Sequence, residues 1–244
     1  MNTQTADVPE IEYPDDDGEP MSDTTLQFDW ITKLKDGFDG VFRDDPAVFV
    51  AGNLLWYPVE GDPKTRVAPD AMVAFGRPKG YRGSYKQWKE GGVAPQVVFE
   101  VMSPSNDDAE MERKPMLYER FGVEEFYIYD PLDATFRAYT RDPAGRLKKV
   151  RKTNGFTSPR LGVRFDLGDE LIMTCPDGRR VLTYLELVEE AEAERQRAAA
   201  AERQRAATAA EAAAALQRER AAAAEREAAL RAKLRAAGID PDGG

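Results

Sequence analysis

Residues 96–106, QVVFEVMSPSN, decide how this chain folds. The apolar run is bounded by Pro95 and by the turn residues SPSN, which marks it as a buried strand. Successive side chains of a strand point to opposite faces, so Val97, Phe99 and Val101 share one face and Val98, Glu100 and Met102 the other. Glu100 is then a carboxylate set among apolar neighbours. Burying an ionised group without a partner costs on the order of several kcal/mol, so Glu100 must be paired or hold a metal ion. A buried Arg and a metal shared with a second carboxylate are both compatible with the sequence.

Working outward, residues 69–75, PDAMVAF, form a second β-rich run that opens on Asp70 directly after Pro69. AVFVAG (47–52) and NLLWYPV (53–59) precede it as shorter runs of the same type. Residues 26–42 place Leu26, Trp30, Leu34, Phe38 and Phe42 at intervals of four, an apolar helical stripe despite Gly37 and Gly40. A second helix is expected over roughly 108–121, stopped by Gly122 at the position after the last helical turn. FYIYD (126–130), FRAYT (136–140), LKKV (147–150), GVRF (162–165) and ELIMTC (170–175) read as further strands, joined by turns such as DPAG and PDG. The expected fold class is α/β, a mixed β-sheet flanked by helices, with a long helix at the C-terminus. Between the strands lies residues 76–95, GRPKGYRGSYKQWKEGGVAP, with Lys and Arg interleaved among Tyr81, Tyr85 and Trp88. It reads either as a phosphate-contacting loop or as a connection pinned to the sheet by its aromatics.

Four segments are expected. Residues 1–25 are acidic and lack apolar periodicity, which predicts a disordered tail; 26–188 carry the folded domain. Residues 189–237, rich in Ala, Glu and Arg, read as a helix or coiled coil, and 238–244 as a flexible end. The helical composition begins near Tyr184, and Glu–Arg spacings such as Glu192 with Arg195, Glu194 with Arg197 and Glu227 with Arg231 support it. Large apolar anchors are sparse there and no sustained Leu heptad is visible, so an Ala-rich coiled coil or helical oligomerisation arm is favoured over a solitary helix. Assembly of like chains through that arm or through the folded domain is the expectation.

Composition removes whole reaction classes. The 244 residues include no His and one Cys, so a triad base, an imidazole zinc ligand and a Cys-rich zinc site cannot be built. Carboxylates, Lys, Tyr and a hard metal ion remain for activating water. Cys175 has no partner in the chain, which points to a reducing, cytoplasmic setting. Nowhere do about 18 apolar residues stand together, so no membrane span is expected. Eight acids and no base precede Leu26, so a net charge of −10 leaves −2 for the rest, neither favouring nor excluding nucleic acid.

Asp70, Glu100 and Lys114 together form the candidate site. Two oxygen ligands on neighbouring strands suit magnesium or manganese, completed by waters and a substrate phosphate. In that arrangement Asp70 and Glu100 bind the metal, and Lys114 orients the attacking water or stabilises the pentavalent transition state. Tyr118, one turn beyond Lys114, is expected to pack on the sheet and secondarily to steer the site. Ser103 and Ser105 read as turn residues, Asn106 or Asp107 as a helix N-cap, and Glu110 and Asp29 as outlying acids.

The order Pro-Asp, Glu, Lys resembles the PD-(D/E)XK nuclease superfamily. More closely, EVMSPSN followed by ERKPMLYERFGVEEFYIYDP is similar to the Uma-two family of restriction-endonuclease-like proteins, with the likeness spanning residues 28–190. The resemblance implies a restriction-endonuclease-like core and a metal-dependent endonuclease that acts on DNA. Position by position, Asp70 matches the first carboxylate and Glu100 the second. Met102 stands where the lysine is usual, and the resemblance moves that lysine to Lys114 on the following helix. Pro115 departs from a regular helix, so either the helix begins near Met111 or it is kinked beside the lysine. A non-catalytic scaffold that assembles through the C-terminal helix is the rival reading.

Overall fold

The computed structural model describes residues 11–16, 24–104 and 108–238, with side chains in the last stretch from residue 111 onward. In chain order its elements are α1 (Thr25–Val41), β1 (Val48–Gly52), β2 (Trp56–Tyr57), β3 (Ala71–Phe75), β4 (Tyr85–Lys86) and β5 (Val97–Val101). There follow α2 (Asp108–Phe121), β6 (Glu125–Asp130), β7 (Thr135–Arg141), β8 (Leu147–Lys149), β9 (Phe156–Thr157), β10 (Arg164–Leu167), β11 (Leu171–Thr174) and α3 (Tyr184–Ala236). Six strands make one mixed sheet in the order β1-β3-β5-β6-β7-β8. Its neighbours are antiparallel except β5 and β6, which run parallel because α2 returns the chain between them.

Alternation along β5 sorts the core as the sequence implies. Val97, Phe99 and Val101 pack with Trp30, Ile31, Leu34 and Phe38 of α1 and with Phe165 and Met173 from the small sheet β11-β10-β9. Val98 and Met102 pack on the other face with Met111 and Tyr118 of α2, and with Trp56, Tyr85 and Phe126. The buried stripe of α1 is narrower than an interval of four suggests, since Leu26 is exposed and Phe42 lies just past the helix. Four residues advance a helix by roughly 40° beyond a full turn, so a strict four-residue row winds off the buried face. Gly37 is required there, because a Cβ would lie 2.2 Å from Val181 Cγ1.

NLLWYPV keeps strand geometry only at Trp56–Tyr57, after Asn53 takes a left-handed φ of 48° and before Pro58. Its parallel partner, β4, sits inside the stretch read as a loop. Residues 11–16, part of the segment expected to be disordered, lie largely exposed but make specific contacts through Tyr13, Pro14 and Asp15. Tyr13 meets the rings of Tyr57 and Trp88 at 5.3 and 4.8 Å, Tyr57 Oη donates to the Pro14 carbonyl at 2.6 Å, and Ser84 Oγ to Asp15 at 2.6 Å. Tyr13 is the partly buried residue of this stretch. Residues 1–10 and 17–23 lie outside the described residues.

The chain divides into two units, residues 1–183 and 184–244. Since α3 starts at Tyr184, residues 184–188, which the sequence assigns to the folded domain of 26–188, are helical and fall in the second unit. This 53-residue helix extends over about 80 Å, carries Glu186 in its first turn and Lys233 and Arg235 in its last, and pairs Glu227 with Arg231 at 3.0 Å. It has no buried residue and no helix of the structure is long and apolar enough to cross a membrane among the described residues.

Two features hold the start of β6. At the close of α2, Val123 N–H donates to the Tyr118 carbonyl at 3.0 Å and Gly122 N–H to that of Glu119 at 3.4 Å, a Schellman pair with Gly122 at φ 99°. Glu125, on the α1 face, is 2 % exposed and accepts from Tyr127 Oη at 2.8 Å, Arg160 N–H at 2.8 Å and Ser158 Oγ, tying β6 to the segment that leads into β10. Burial raises its carboxyl above the ordinary 4.5, against the opposing pull of those donors.

Gly122→Ala forces an L residue into the left-handed region and is expected to lower stability by about 1–2 kcal/mol in urea unfolding. A raised folded pKa means that the native state binds its proton more tightly than the unfolded chain. Stability from Glu125 is therefore fullest below 4.5 and is lost as pH rises through the folded value. Glu125→Gln should flatten that slope, so the variant gains on the wild type between pH 5 and pH 8; a stability difference independent of pH would contradict this.

Candidate functional site

Glu100 lies in the middle of the sheet, 2 % exposed, with its side chain on the α2 face. Both partners named for its carboxylate come from α2. Lys114 Nζ donates to Oε2 at 2.8 Å, and Tyr118 Oη donates to Oε1. Residues four apart share a helix face, so one turn of α2 delivers an ammonium and a phenol to the two oxygens of one carboxylate. The buried-Arg partner considered from sequence is thus replaced by Lys114 together with Tyr118. The Lys114 side chain is 20 % exposed and that of Glu100 3 % exposed, so the ammonium stands between the buried carboxylate and solvent. Tyr118 is fully enclosed, its ring parallel to Trp56 at 6.3 Å and tilted on Phe126 at 4.8 Å.

Asp70 precedes β3 at the same end of the sheet. Ala71 lies opposite Phe99, so one further step of the antiparallel register sets Asp70 opposite Glu100. Directly opposed residues share a face, with Cβ atoms about 4.5–5.5 Å apart. Asp70 Oδ2 accepts from Val101 N–H at 2.6 Å, where the β3–β5 ladder would otherwise run out of acceptors. Gln27 Nε2 of α1 donates to the Val101 carbonyl at 3.2 Å. The residue after Glu100 is therefore clamped from both sides, which fixes the direction in which Glu100 leaves the strand.

The helix runs through Pro115 from Asp108 rather than beginning near Met111. Pro115 has no N–H to give to the carbonyl four residues earlier, one bond lost beside Lys114. Among the described residues no group of three His, Cys, Asp or Glu stands together as a metal cage. Two carboxylates are nevertheless the usual protein share for magnesium, which keeps waters and substrate oxygens as its other ligands. The donors that Asp70 and Glu100 offer are all oxygen, the donor chemistry that magnesium or manganese takes, with neither the imidazole nor the thiolate that zinc prefers.

The other candidates fall away from this centre. Asp29 is on the exposed side of α1, across the sheet from α2. Ser103 is buried, whereas Ser105, Asn106, Asp107 and the side chain of Glu110 lie outside the described residues. In the loop of residues 76–95 three of the five cations are engaged within the fold by ion pairs or hydrogen bonds. Arg82 pairs with Glu90 at 2.6 Å over the Phe49 ring, Arg77 donates to the Glu90 carbonyl at 2.8 Å, and Lys79 meets Asp39 at 3.5 Å. These contacts pin the connection to the fold. The sequence gives Tyr118 a packing role with a secondary steering of the site and does not single out Trp56; a Tyr four residues after a Lys on a helix facing a buried acid is the signal for the bond to Glu100.

The chain matches the family described as "Uma2: Putative restriction endonuclease" over residues 6–170. Among solved structures it is similar to one described as a "putative nuclease belonging to DUF820" from Anabaena variabilis, at 16% identity and a TM-score of 0.42, covering 62% of this chain and 84% of that one. Comparison with curated proteins finds no match. The family match takes in Asp70, Glu100 and Lys114 and well over half of the sequence, and the protein therefore belongs to the Uma2 family.

Proposed function

We propose that the protein is a divalent-metal-dependent nuclease that hydrolyses DNA phosphodiester bonds at the Asp70, Glu100 and Lys114 centre. The observation that carries this reading is Glu100 itself, a carboxylate buried among apolar residues with a lysine on its solvent side and a second carboxylate opposite in register. Asp70 and Glu100 would hold magnesium or manganese. When bound, the ion supplies Lewis acidity, favouring ionisation of water and offsetting charge on the phosphate. Lys114 has the exposure needed to meet substrate, where its ammonium can orient the attacking water or face the charge that develops on the pentavalent phosphorus. Tyr118 keeps Glu100 in one orientation, and the Val101 clamp keeps Asp70 beside it.

The rival reading is a nuclease-like scaffold that assembles through α3. It is favoured by the closed set of bonds around Glu100, which can serve as a structural ion pair, and by a 53-residue helix without a buried residue.

Manganese-dependent cleavage of plasmid or branched DNA tests the nuclease reading. Asp70→Asn is the informative variant, since it retains an oxygen for Val101 N–H while removing the charge that holds a cation. Cleavage by the wild type, reduced at least about a hundredfold in Asp70→Asn with folding intact, is the expected result. A wild-type protein inert on the whole panel would favour the scaffold.

A further inference from the structure

The two oxygens of Glu100 are held by partners of opposite character. Oε1 is bound from the interior by the Tyr118 phenol, uncharged and confined between Trp56 and Phe126. Oε2 is bound by the Lys114 ammonium, 2.8 Å away at the end of a flexible stem and 20 % exposed. Tyr118 has nowhere to go, whereas Lys114 can swing outward. A magnesium or manganese ion ligated by Oε2 would come within about 2.0–2.2 Å of that oxygen, where the ammonium already makes its contact. Two cations cannot share one carboxylate oxygen at that range without strong mutual repulsion.

We infer that Lys114 is an internal counter-cation of Glu100 that an incoming divalent ion must displace, so that loading the site and releasing the ammonium toward substrate are one event. The inference rests on the nuclease reading above and adds to it a positioning role before catalysis. Lys114 neutralises the buried carboxylate while the site is empty of metal and lowers its affinity for ions. On loading, the same side chain becomes available to the scissile phosphate. Tyr118 makes the exchange directional, since it leaves Oε2 as the oxygen that changes partner and holds the carboxylate plane still while it does so.

If Lys114 merely fastened α2 to β5, its removal would loosen the site and weaken ion binding. As a competitor of the ion, its removal must strengthen binding. Calorimetry with manganese alone, without DNA, on the full chain and on Lys114→Met therefore separates the two. Lys114→Met retains most of the stem and should bind manganese about tenfold more tightly, a difference of about 1.4 kcal/mol, while losing cleavage. Equal or weaker binding in Lys114→Met overturns the counter-cation role and leaves the metal reading in place, because the wild type still binds. Absence of binding in the wild type overturns both. A second measurement needs no variant: in a magnesium series followed by NMR, the Lys114 side-chain resonances should move away from their paired position with the same ion dependence as the calorimetric binding. Resonances that stay unmoved at saturating magnesium would refute the exchange even if Lys114→Met did not fold.

Discussion

A carboxylate within a strand that is apolar on both flanks must be answered locally, and much of this molecule serves that requirement at Glu100. Strand β5 can be buried on both faces only because α1 covers one and α2 the other. The parallel step from β5 to β6 needs a crossover, and the crossover helix is the element that carries Lys114 and Tyr118. The topology of the sheet and the neutralisation of its buried acid therefore have one solution. The Schellman stop at Gly122 ends α2 in the turn that holds Tyr118, so the phenol is placed by a backbone motif as well as by its packing.

A second buried acid on the same sheet is used differently. Glu125 sits on the α1 face, where burial outweighs the hydroxyl and backbone donors it accepts and the smaller Coulombic pull of Arg160, so its proton is held more tightly. Glu100 is met by a lysine of graded exposure. Glu125 ties two sheets together chiefly through hydroxyl and backbone donors, whereas Glu100 is in direct ion-pair contact with Lys114.

Much of this was legible in the sequence because it rests on short-range rules. The alternation of β5, the span of α2 and its glycine stop follow from periodicity and capping, and the oxygen-only donor set follows from the absence of His and the lone Cys. Tertiary matters were not legible. The acid-rich tail gave no sign that Tyr13 finds two aromatic neighbours some forty and seventy-five residues away. The two-residue pairing of β2 with β4 is too short for any periodic signal. Glu125 looked like one more acid in VEEFYIYD, since nothing local tells that a serine and a backbone amide from beyond residue 157 complete its shell. Lys114 was placed by resemblance, and the phenol on Oε1 required the packed helix to be seen.

The most direct measurement is anomalous diffraction from crystals of the full chain equilibrated with manganese. The account predicts a manganese peak bridging Asp70 and Glu100 through Oε2, with Tyr118 still on Oε1 and the Lys114 ammonium withdrawn from the carboxylate. An intact Lys114–Glu100 pair at saturating manganese, with no ion beside either acid, would contradict it.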